Sequence, residues 1–250
     1  MTDYQPPICD YEGSEYQREF WEEGGRAYED AAEEAALAKL MPSGGKRLLE
    51  LGAGAGRNTP RYKGFGEIVL LDYSTTQLAQ AQESLNQTGN YRFVAADIYH
   101  MPFVDGLFDA ATMIRTLHHL QDGQQVIHLV RDLLQKDAVF ILEYANKRNL
   151  KAILRFVVGR QDWNPFTLEQ VEFVELNYDF HPNAIRQWLY EANFAVEKQL
   201  TVSHFRIGFL KKLLPTKLLV TLDKALQWTG NFIQVSPSVF TRSRAIGVSA

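Results

Sequence analysis

The sequence contains a single cysteine, Cys9, so an intrachain disulfide bond is excluded. A chain without disulfides is typical of a reducing compartment, and we expect a cytoplasmic location. Residues 1–16 carry acids and prolines and lack an apolar core, which argues against a secretion signal. No stretch of the sequence reaches the length of a membrane span.

A strong charge of one sign is also missing. The net charge is -4, so the protein has no general positive field that would attract nucleic acid. With 250 residues, of which 46% are hydrophobic, the chain is long enough to bury a sizeable core. We expect a single domain over residues 1–250 that does not bind nucleic acid.

Short apolar runs and helical patterns alternate from Arg47 to Tyr144. This alternation predicts an α/β fold with a parallel, doubly wound sheet. The predicted strands are 47–51, 67–71, 91–95, 108–114 and 138–144, followed by a helix at 185–192, a strand at 195–202, a helix at 210–228 and a final strand at 238–242. Asp30 and Glu33 form a capping-box pattern for an earlier helix that ends before Pro42. The aromatic-rich segment 145–180 has no strong strand signal, and we interpret it as an insertion over the carboxyl edge of the sheet.

The first predicted strand runs into Glu50-Leu51-Gly52-Ala53-Gly54-Ala55-Gly56. Glycines allow a tight turn and a close approach of the backbone to a ligand, because they have no Cβ. At the end of a buried strand, they indicate a site for a nucleotide-type cofactor. The loop lacks the Gly-Lys-Ser/Thr of a phosphate-binding P-loop, and Arg57 stands where a dinucleotide fingerprint has its third glycine.

Acidic residues stand at the ends of three successive predicted strands, namely Glu50, Asp72 and Asp97. Asp72 can accept hydrogen bonds from both hydroxyls of a ribose. Asp97 can accept one from an adenine amino group, while Ile98 and Tyr73 pack on the faces of the ring. Three acids would repel a pyrophosphate, so they favour a cofactor without phosphate.

These motifs, in this order, resemble the class I S-adenosylmethionine-dependent methyltransferases, in particular their small-molecule, methyltransferase type 11-like branch. The matching residues are Glu50–Gly56, Leu71-Asp72-Tyr73-Ser74, Ala96-Asp97-Ile98 and Phe108–Leu120, and the resemblance is close over 47–144. It implies a Rossmann-like sheet of seven strands with the last strand antiparallel, N-terminal helices and an insertion after strand five. One departure is Lys136-Asp137, where many relatives have a Pro-Gly-Gly turn.

The resemblance implies S-adenosyl-L-methionine as cofactor and S-adenosyl-L-homocysteine as product. It assigns the methionine part to Gly52, Ala53, Gly54 and Arg115, the ribose to Asp72, and the adenine to Tyr73, Asp97 and Ile98. Glu50 either contacts the amino group of the cofactor or only holds the loop. Arg115 either contacts the cofactor or forms a structural ion pair. No metal ligands are implied.

Transfer of the methyl group to a small, partly apolar acceptor is an in-line displacement, for which the protein mainly provides alignment. A general base is needed only if the acceptor carries a proton with a high pKa. His118 and His119 lie where the acceptor should enter, and we predict His118 as the catalytic residue. The alternative, favoured for His119, is a hydrogen bond to the backbone. Ile114-Arg115-Thr116-Leu117 replaces the Asn-Pro-Pro-aromatic motif that is typical of enzymes acting on nucleobase amino groups.

Within the single domain we expect a lid at 1–45, a cofactor-binding core at 46–144, an acceptor-side insertion at 145–180 and the rest of the sheet at 181–250. Tyr16, Phe20 and Trp21 either fold over the cofactor or pack on the sheet as an amphipathic helix. The basic, apolar stretches 147–160 and 211–217 are commonly solvated helix faces, but they also suit an anionic acceptor, a partner or a lipid surface. An alternative function is that of a non-catalytic S-adenosylmethionine-binding regulatory or assembly protein. The oligomeric state is not predicted.

Overall fold

The computed structural model describes residue 7 and residues 11–14, 17–85 and 89–247. Its strands are β1 Gly45–Leu51, β2 Phe65–Asp72, β3 Tyr91–Ala95, β4 Phe108–Met113, β5 Leu134–Ala145, β6 Val171–Val174, β7 Asn177–Asp179, β8 Phe194–Val202 and β9 Ser238–Ala245. Seven of them form one sheet in the order β3-β2-β1-β4-β5-β9-β8, and β6 and β7 form a separate antiparallel pair. The strands β1 to β5 are parallel, whereas β9 is antiparallel to both of its neighbours. The predicted α/β class, with seven strands and an antiparallel last strand, is confirmed.

The helices lie on both faces of this sheet. They are α1 Ala27–Leu40, α2 Thr75–Ser84, α3 Gly123–Leu133, α4 Leu150–Val157, α5 Pro182–Glu191, α6 Gly208–Leu213 and α7 Thr216–Leu226. A π-helical turn spans Gln17–Glu22, and short 3-10 turns span Thr59–Arg61, Leu117–His119 and Gln227–Asn231. The predicted helix at 210–228 is divided at Pro215, because proline has no N–H and its ring clashes with the preceding turn.

The strand β5 shows how the two faces are covered. Phe140 and Leu142 pack in one hydrophobic cluster with α3 and α5, while Val139 and Ile141 pack in a second cluster with α1 and α7. Neighbouring side chains of a strand point to opposite faces, so an uninterrupted apolar run fits a strand that is buried on both sides.

Three local predictions differ from the structure. The helix α1 begins at Ala27, so Asp30 and Glu33 lie inside it and do not cap it; both bind arginine side chains instead. The segment 145–180 contains α4 and the β6–β7 hairpin. Asp137 does not lie in a turn before the strand: it is part of β5 and adopts the left-handed backbone conformation, with φ +65°, where the pairing of β4 and β5 is irregular.

Candidate functional site

A cavity of about 150 Å³ lies at the carboxyl edge of the sheet, where the chain leaves β1, β2, β3 and β4. The strand order reverses between β1 and β4, which is where parallel sheets of this type bind ligands. The predicted cofactor residues all line this cavity: Glu50, Gly52, Ala53, Gly54, Asp72, Tyr73, Asp97, Ile98 and Arg115. The fold therefore brings the ends of four strands together at one site.

The loop after β1 needs glycine at two positions for different reasons. At Gly52, with φ +64°, a Cβ would stand 2.2 Å from Thr116 Oγ1, so glycine permits the close approach of the segment after β4. At Gly54, with φ +52°, the only heavy atom of the described residues within 4 Å of a Cβ is Gln77 Oε1, at 4.0 Å. The space beside Gly54 is open, and the loop forms a cradle that suits the methionine part of S-adenosylmethionine.

Asp72, at the end of β2, holds the glycine loop. Its carboxylate accepts hydrogen bonds from the backbone N–H of Gly54 at 2.8 Å and of Ser74 at 3.0 Å. Burial raises the pKa of Asp72 above its ordinary value. A carboxylate has about four acceptor positions, so Asp72 keeps the capacity to accept hydrogen bonds from ligand hydroxyls.

Asp97 organises the turn after β3. Its Oδ1 accepts a hydrogen bond from the N–H of Tyr99 at 2.9 Å, and its Oδ2 lies 2.9 Å from Nδ1 of the exposed His100. This turn places the buried side chain of Ile98 on the cavity wall. An acceptor and an apolar surface thus lie side by side, as recognition of a flat, amino-bearing ring requires.

Glu50 is the most buried of the three acids at the strand ends, with 4% of its surface exposed. The hydroxyl of Thr59 donates a hydrogen bond to Glu50 Oε2 at 2.6 Å, which ties the end of β1 to the following 3-10 turn. Burial raises the pKa of Glu50 to about 7. A cation in the cavity would favour the ionised carboxylate, so Glu50 suits the ammonium group of the cofactor as well as the loop.

Arg115 lines the cavity, but its guanidinium group is bound by an acid on α1. Arg115 Nε donates a hydrogen bond to Glu33 Oε1 at 2.8 Å, and Arg57 Nη2 donates to Glu33 Oε2 at 2.9 Å. Glu33 is fully buried; burial acts to raise its pKa, but Arg115 and Arg57 bring the pKa below its ordinary value. The backbone N–H of Arg115 donates to Glu143 Oε2 at 2.9 Å, which holds a non-glycine residue at φ +60°. These contacts join α1, the glycine loop and the end of β4.

The N-terminal part of the chain covers the cavity. Trp21 is 9% exposed, lines the cavity and packs under Arg57, whose Cζ lies 3.5 Å from the ring centroid. Phe20 packs against Trp21 and under Arg26. Tyr16, the third predicted lid residue, lies outside the described residues.

Residues 11–14 form a second covering segment that the sequence did not single out. The backbone N–H of Tyr11 donates to the hydroxyl of Tyr73, and Gln77 Nε2 donates to the carbonyl of Ser14 at 2.9 Å. Glu12 accepts a hydrogen bond from the hydroxyl of Thr75 at 3.0 Å. The segment therefore lies along the start of α2 and places Tyr11 on the cavity. No periodic pattern marks Tyr11, so only the tertiary structure reveals it.

The two histidines after β4 occupy different positions. Among the described residues that line the cavity we find His119 but not His118. His119 Nδ1 lies 3.1 Å from the carbonyl oxygen of Leu176; because a carbonyl can only accept, Nδ1 carries the proton. The hydroxyl of Tyr11 lies 3.1 Å from Nε2, which then accepts its hydrogen bond.

Both histidines favour the neutral form. Burial lowers the pKa of His119 and brings the pKa of His118 well below its ordinary value. His119 thus supplies a neutral imidazole at the cavity, and its backbone partner is Leu176, which lies between β6 and β7. The catalytic role predicted for His118 stays a prediction, at a position outside the cavity lining.

In the part of the chain that the structure describes, no three His, Cys, Asp or Glu side chains group together as they would around a metal ion. Nor does that part contain a helix with the length and apolarity needed to cross a bilayer.

Known proteins resemble this chain in sequence and in structure. A family model described as a methyltransferase domain matches residues 49–142. The ubiquinone/menaquinone biosynthesis C-methyltransferase UbiE of Stutzerimonas stutzeri is 30% identical in an alignment 115 residues long that covers 42% of this chain and 44% of that protein. The chain therefore matches less than half the length of this curated relative.

Solved structures match over most of the chain. A putative methyltransferase of Haloferax volcanii, in complex with the Trm112 methyltransferase activator, is 16% identical, with a TM-score of 0.64 over 93% of this chain and 96% of that one. An S-adenosylmethionine-dependent methyltransferase of Mesorhizobium loti is 20% identical, with a TM-score of 0.61 over 85% and 97%. At these identities the likeness establishes the fold, while the matched model establishes the domain type and implies S-adenosylmethionine as its cofactor. Residues 49–142 therefore match a methyltransferase domain, and the chain around them has the fold seen in S-adenosylmethionine-dependent methyltransferases.

Proposed function

We propose that this protein transfers a methyl group from S-adenosylmethionine to a small, partly apolar acceptor by in-line displacement. The observation that carries the proposal is the continuous cavity. Its floor is the glycine loop with Asp72 and Asp97, and its other walls include Trp21, Leu120 and His119. The glycine loop with the two aspartates suits the cofactor. Trp21, Leu120 and His119 provide an apolar surface with one neutral imidazole for the acceptor.

When bound, S-adenosylmethionine supplies a methyl group already activated on a sulfonium. The residues of this chain then have to fix the direction of attack and exclude water. Asp72 and the glycine loop hold one end of the cavity, and Trp21 with Tyr11 covers it. Alignment of this kind contributes about 7–11 kcal/mol in favourable cases.

His119 is the residue we propose as general base for an acceptor that must lose a proton. With its proton on Nδ1, its Nε2 is the basic atom and faces Tyr11 in the cavity. The depressed pKa keeps the imidazole neutral, and therefore able to take a proton, at neutral pH.

The curated relative suggests where to look for the acceptor. That protein is a C-methyltransferase of ubiquinone and menaquinone biosynthesis, and its likeness to this chain covers less than half of either protein. Precursors of these compounds are therefore the first acceptors to test, followed by a metabolite extract with a labelled methyl donor. Transfer of label to a small molecule supports the proposal. Binding of the donor without transfer to any fraction would favour the alternative of a non-catalytic binding protein.

Cofactor binding is tested by calorimetric titration with S-adenosylhomocysteine and, separately, with NAD. We expect binding of the first and not of the second, since acids at Asp72 and Asp97 disfavour a pyrophosphate. Binding of NAD alone would show that the site belongs to another class of enzyme.

Replacement of Asp72 tests the ribose contact. Asp72→Ala should weaken S-adenosylhomocysteine binding about a hundredfold, because two hydrogen bonds to a charged acceptor are lost. Asp105→Ala, at an exposed acid before β4, is the matched control and should leave the affinity unchanged. A folded Asp72→Ala protein with unchanged affinity would remove Asp72 from the cofactor site.

A further inference from the structure

The helix α4 turns an apolar stripe toward solvent. Leu150, Leu154, Val157 and Val158 recur at the spacing of one helix face, and each is between 56% and 72% exposed. Ala152 lies on the opposite face and is buried. An ordinary surface helix has the reverse arrangement, with its apolar face on the core.

Basic side chains border this stripe. Lys151 and Arg155 are exposed and lie one turn apart, next to Leu154 and Val158 on the helix surface. The segment 145–160 contains no Asp or Glu, although the protein as a whole has a net charge of -4. An amphipathic helix with an apolar face and cationic borders is the geometry of helices that lie in a membrane interface.

A second segment of the same character follows β8. Phe209 and Leu213 on α6 are exposed, as are the neighbouring Lys212 and Lys217. The segment 203–222 also has no Asp or Glu. Two separate parts of the sequence thus combine exposed apolar side chains with positive charge.

The sheet brings these two segments to one edge. The strands β5 and β8 are both antiparallel to β9, so they run in the same direction. Their carboxyl ends, from which α4 and α6 continue, lie two strand spacings apart, or about 10 Å. The exposed Phe232 and Ile233 lie at this edge too, since the N–H of Leu150 donates to the carbonyl of Val235 at 2.8 Å. The cavity opens at the same edge of the sheet.

We propose that α4, α6 and residues 232–235 form a docking surface for a bilayer that contains anionic lipid. Basic residues suit anionic headgroups, and the adjoining apolar side chains suit the outer part of the acyl region. A second copy of this chain is a poorer occupant, because a two-fold interface would bring the same cations against each other. Docking would turn the cavity edge toward the membrane, where an apolar acceptor could enter without crossing water.

Sedimentation of the full chain with lipid vesicles tests this surface without any activity measurement. We expect binding to phosphatidylcholine vesicles that contain phosphatidylglycerol, weaker binding to phosphatidylcholine alone, and a loss of binding as salt is raised. Equal binding to the two kinds of vesicle, or binding to neither, would overturn the proposal.

Two double variants separate the charged from the apolar part of the surface. We expect each of them to weaken vesicle binding about tenfold or more. The first combines Lys151→Glu with Arg155→Glu, and the second combines Leu154→Asp with Val157→Asp. Val104→Asp is the matched control, since Val104 is 69% exposed and lies in the segment that leads to the amino end of β4. An equal loss in this control would contradict the proposal.

Gel filtration of the same variants tests whether a second copy of this chain covers the surface instead. The side chains changed on α4 are exposed, so folding should be retained, which circular dichroism checks. A parent dimer that Leu154→Asp with Val157→Asp converts to a monomer would show that a second copy covers the surface, and would overturn lipid docking. Methyl transfer to a water-soluble acceptor should be unchanged in these variants, so failure of docking and failure of the proposed activity are distinguishable.

Discussion

At the scale of single residues, the site depends on carboxylates whose environments differ. Glu50 and Asp72 end neighbouring parallel strands, yet the first is nearly inaccessible while the second is bound by loop N–H groups. Burial raises the pKa of both. Their positions at strand ends were readable from the sequence, because parallel strands end at a common edge. Their hydrogen-bond partners were not, since those come from the shape of the loop.

Glu50 should make stability depend on pH. Its pKa is about 7 in the folded protein against an ordinary 4.5, so the unfolded chain ionises first and the free energy of unfolding falls as pH rises from 4.5 through 7. The loss is about 3 kcal/mol. Glu50→Gln keeps an oxygen for the Thr59 hydroxyl and removes this loss. Urea unfolding should show equal stability of parent and variant near pH 4.5 and a more stable variant at pH 8. Parallel pH profiles would contradict the assignment.

The two histidines give a second prediction at this scale. His119→Ala should slow methyl transfer about 10²–10⁴-fold for an acceptor that must lose a proton, with little change in cofactor affinity. His118→Ala should have a much smaller effect, because His118 lies outside the cavity lining. Measured values of kcat and of the dissociation constant for S-adenosylhomocysteine separate the cases. A larger loss of kcat in His118→Ala than in His119→Ala would support the catalytic role that the sequence predicted for His118.

At the scale of elements, strands and most helices follow from local sequence. Apolar runs predicted β1 to β5 to within a few residues, except that β5 begins earlier, at Leu134. The β6–β7 hairpin escaped prediction because its strands are only four and three residues long. The start of α1 was misplaced for another reason: Asp30 and Glu33 fit a helix cap, but the arginines that bind them are distant in the sequence.

Glu33 gives a prediction about how α1 is attached to the site. Glu33→Gln should lower the free energy of unfolding by about 3 kcal/mol, because Arg57 and Arg115 then share a buried position without their common counter-charge. Glu34→Gln, at the exposed next position of α1, should change stability by less than about 0.5 kcal/mol. Urea unfolding of the two variants checks the difference. Equal changes in the free energy of unfolding would mean that the ion pairs of Glu33 with Arg57 and Arg115 do not stabilise the attachment of α1.

At the scale of the whole molecule, the sequence predicted the fold class and the edge at which the cofactor site lies. It offered Trp21 as a lid residue but did not single out Tyr11, since Tyr11 reaches the cavity through contacts with residues far along the chain. Nor did it decide how the basic stretches 147–160 and 211–217 are used. The sequence does not show that the apolar residues beside these stretches are exposed. Nor does it show that the two stretches lie near each other, which follows from the sheet order, where only β9 separates β5 from β8.

The strand β9 gives a prediction at this scale. A chain that ends before Ser238 lacks the strand that joins β5 to β8, together with fully buried side chains such as Phe240. We expect such a chain to lose the single cooperative unfolding transition in urea. A truncated protein with the parent transition would show that β1 to β5 fold independently of the rest.

The position of β9 also has a consequence for synthesis on the ribosome. In the sheet, β8 pairs only with β9, yet β9 follows it in the sequence after α6 and α7. While these intervening helices are being translated, β8 presents unpaired backbone groups on both of its sides. The nascent chain therefore passes through a period in which an apolar strand is open to pairing with other chains, and this period ends only when residues 238–245 leave the exit tunnel.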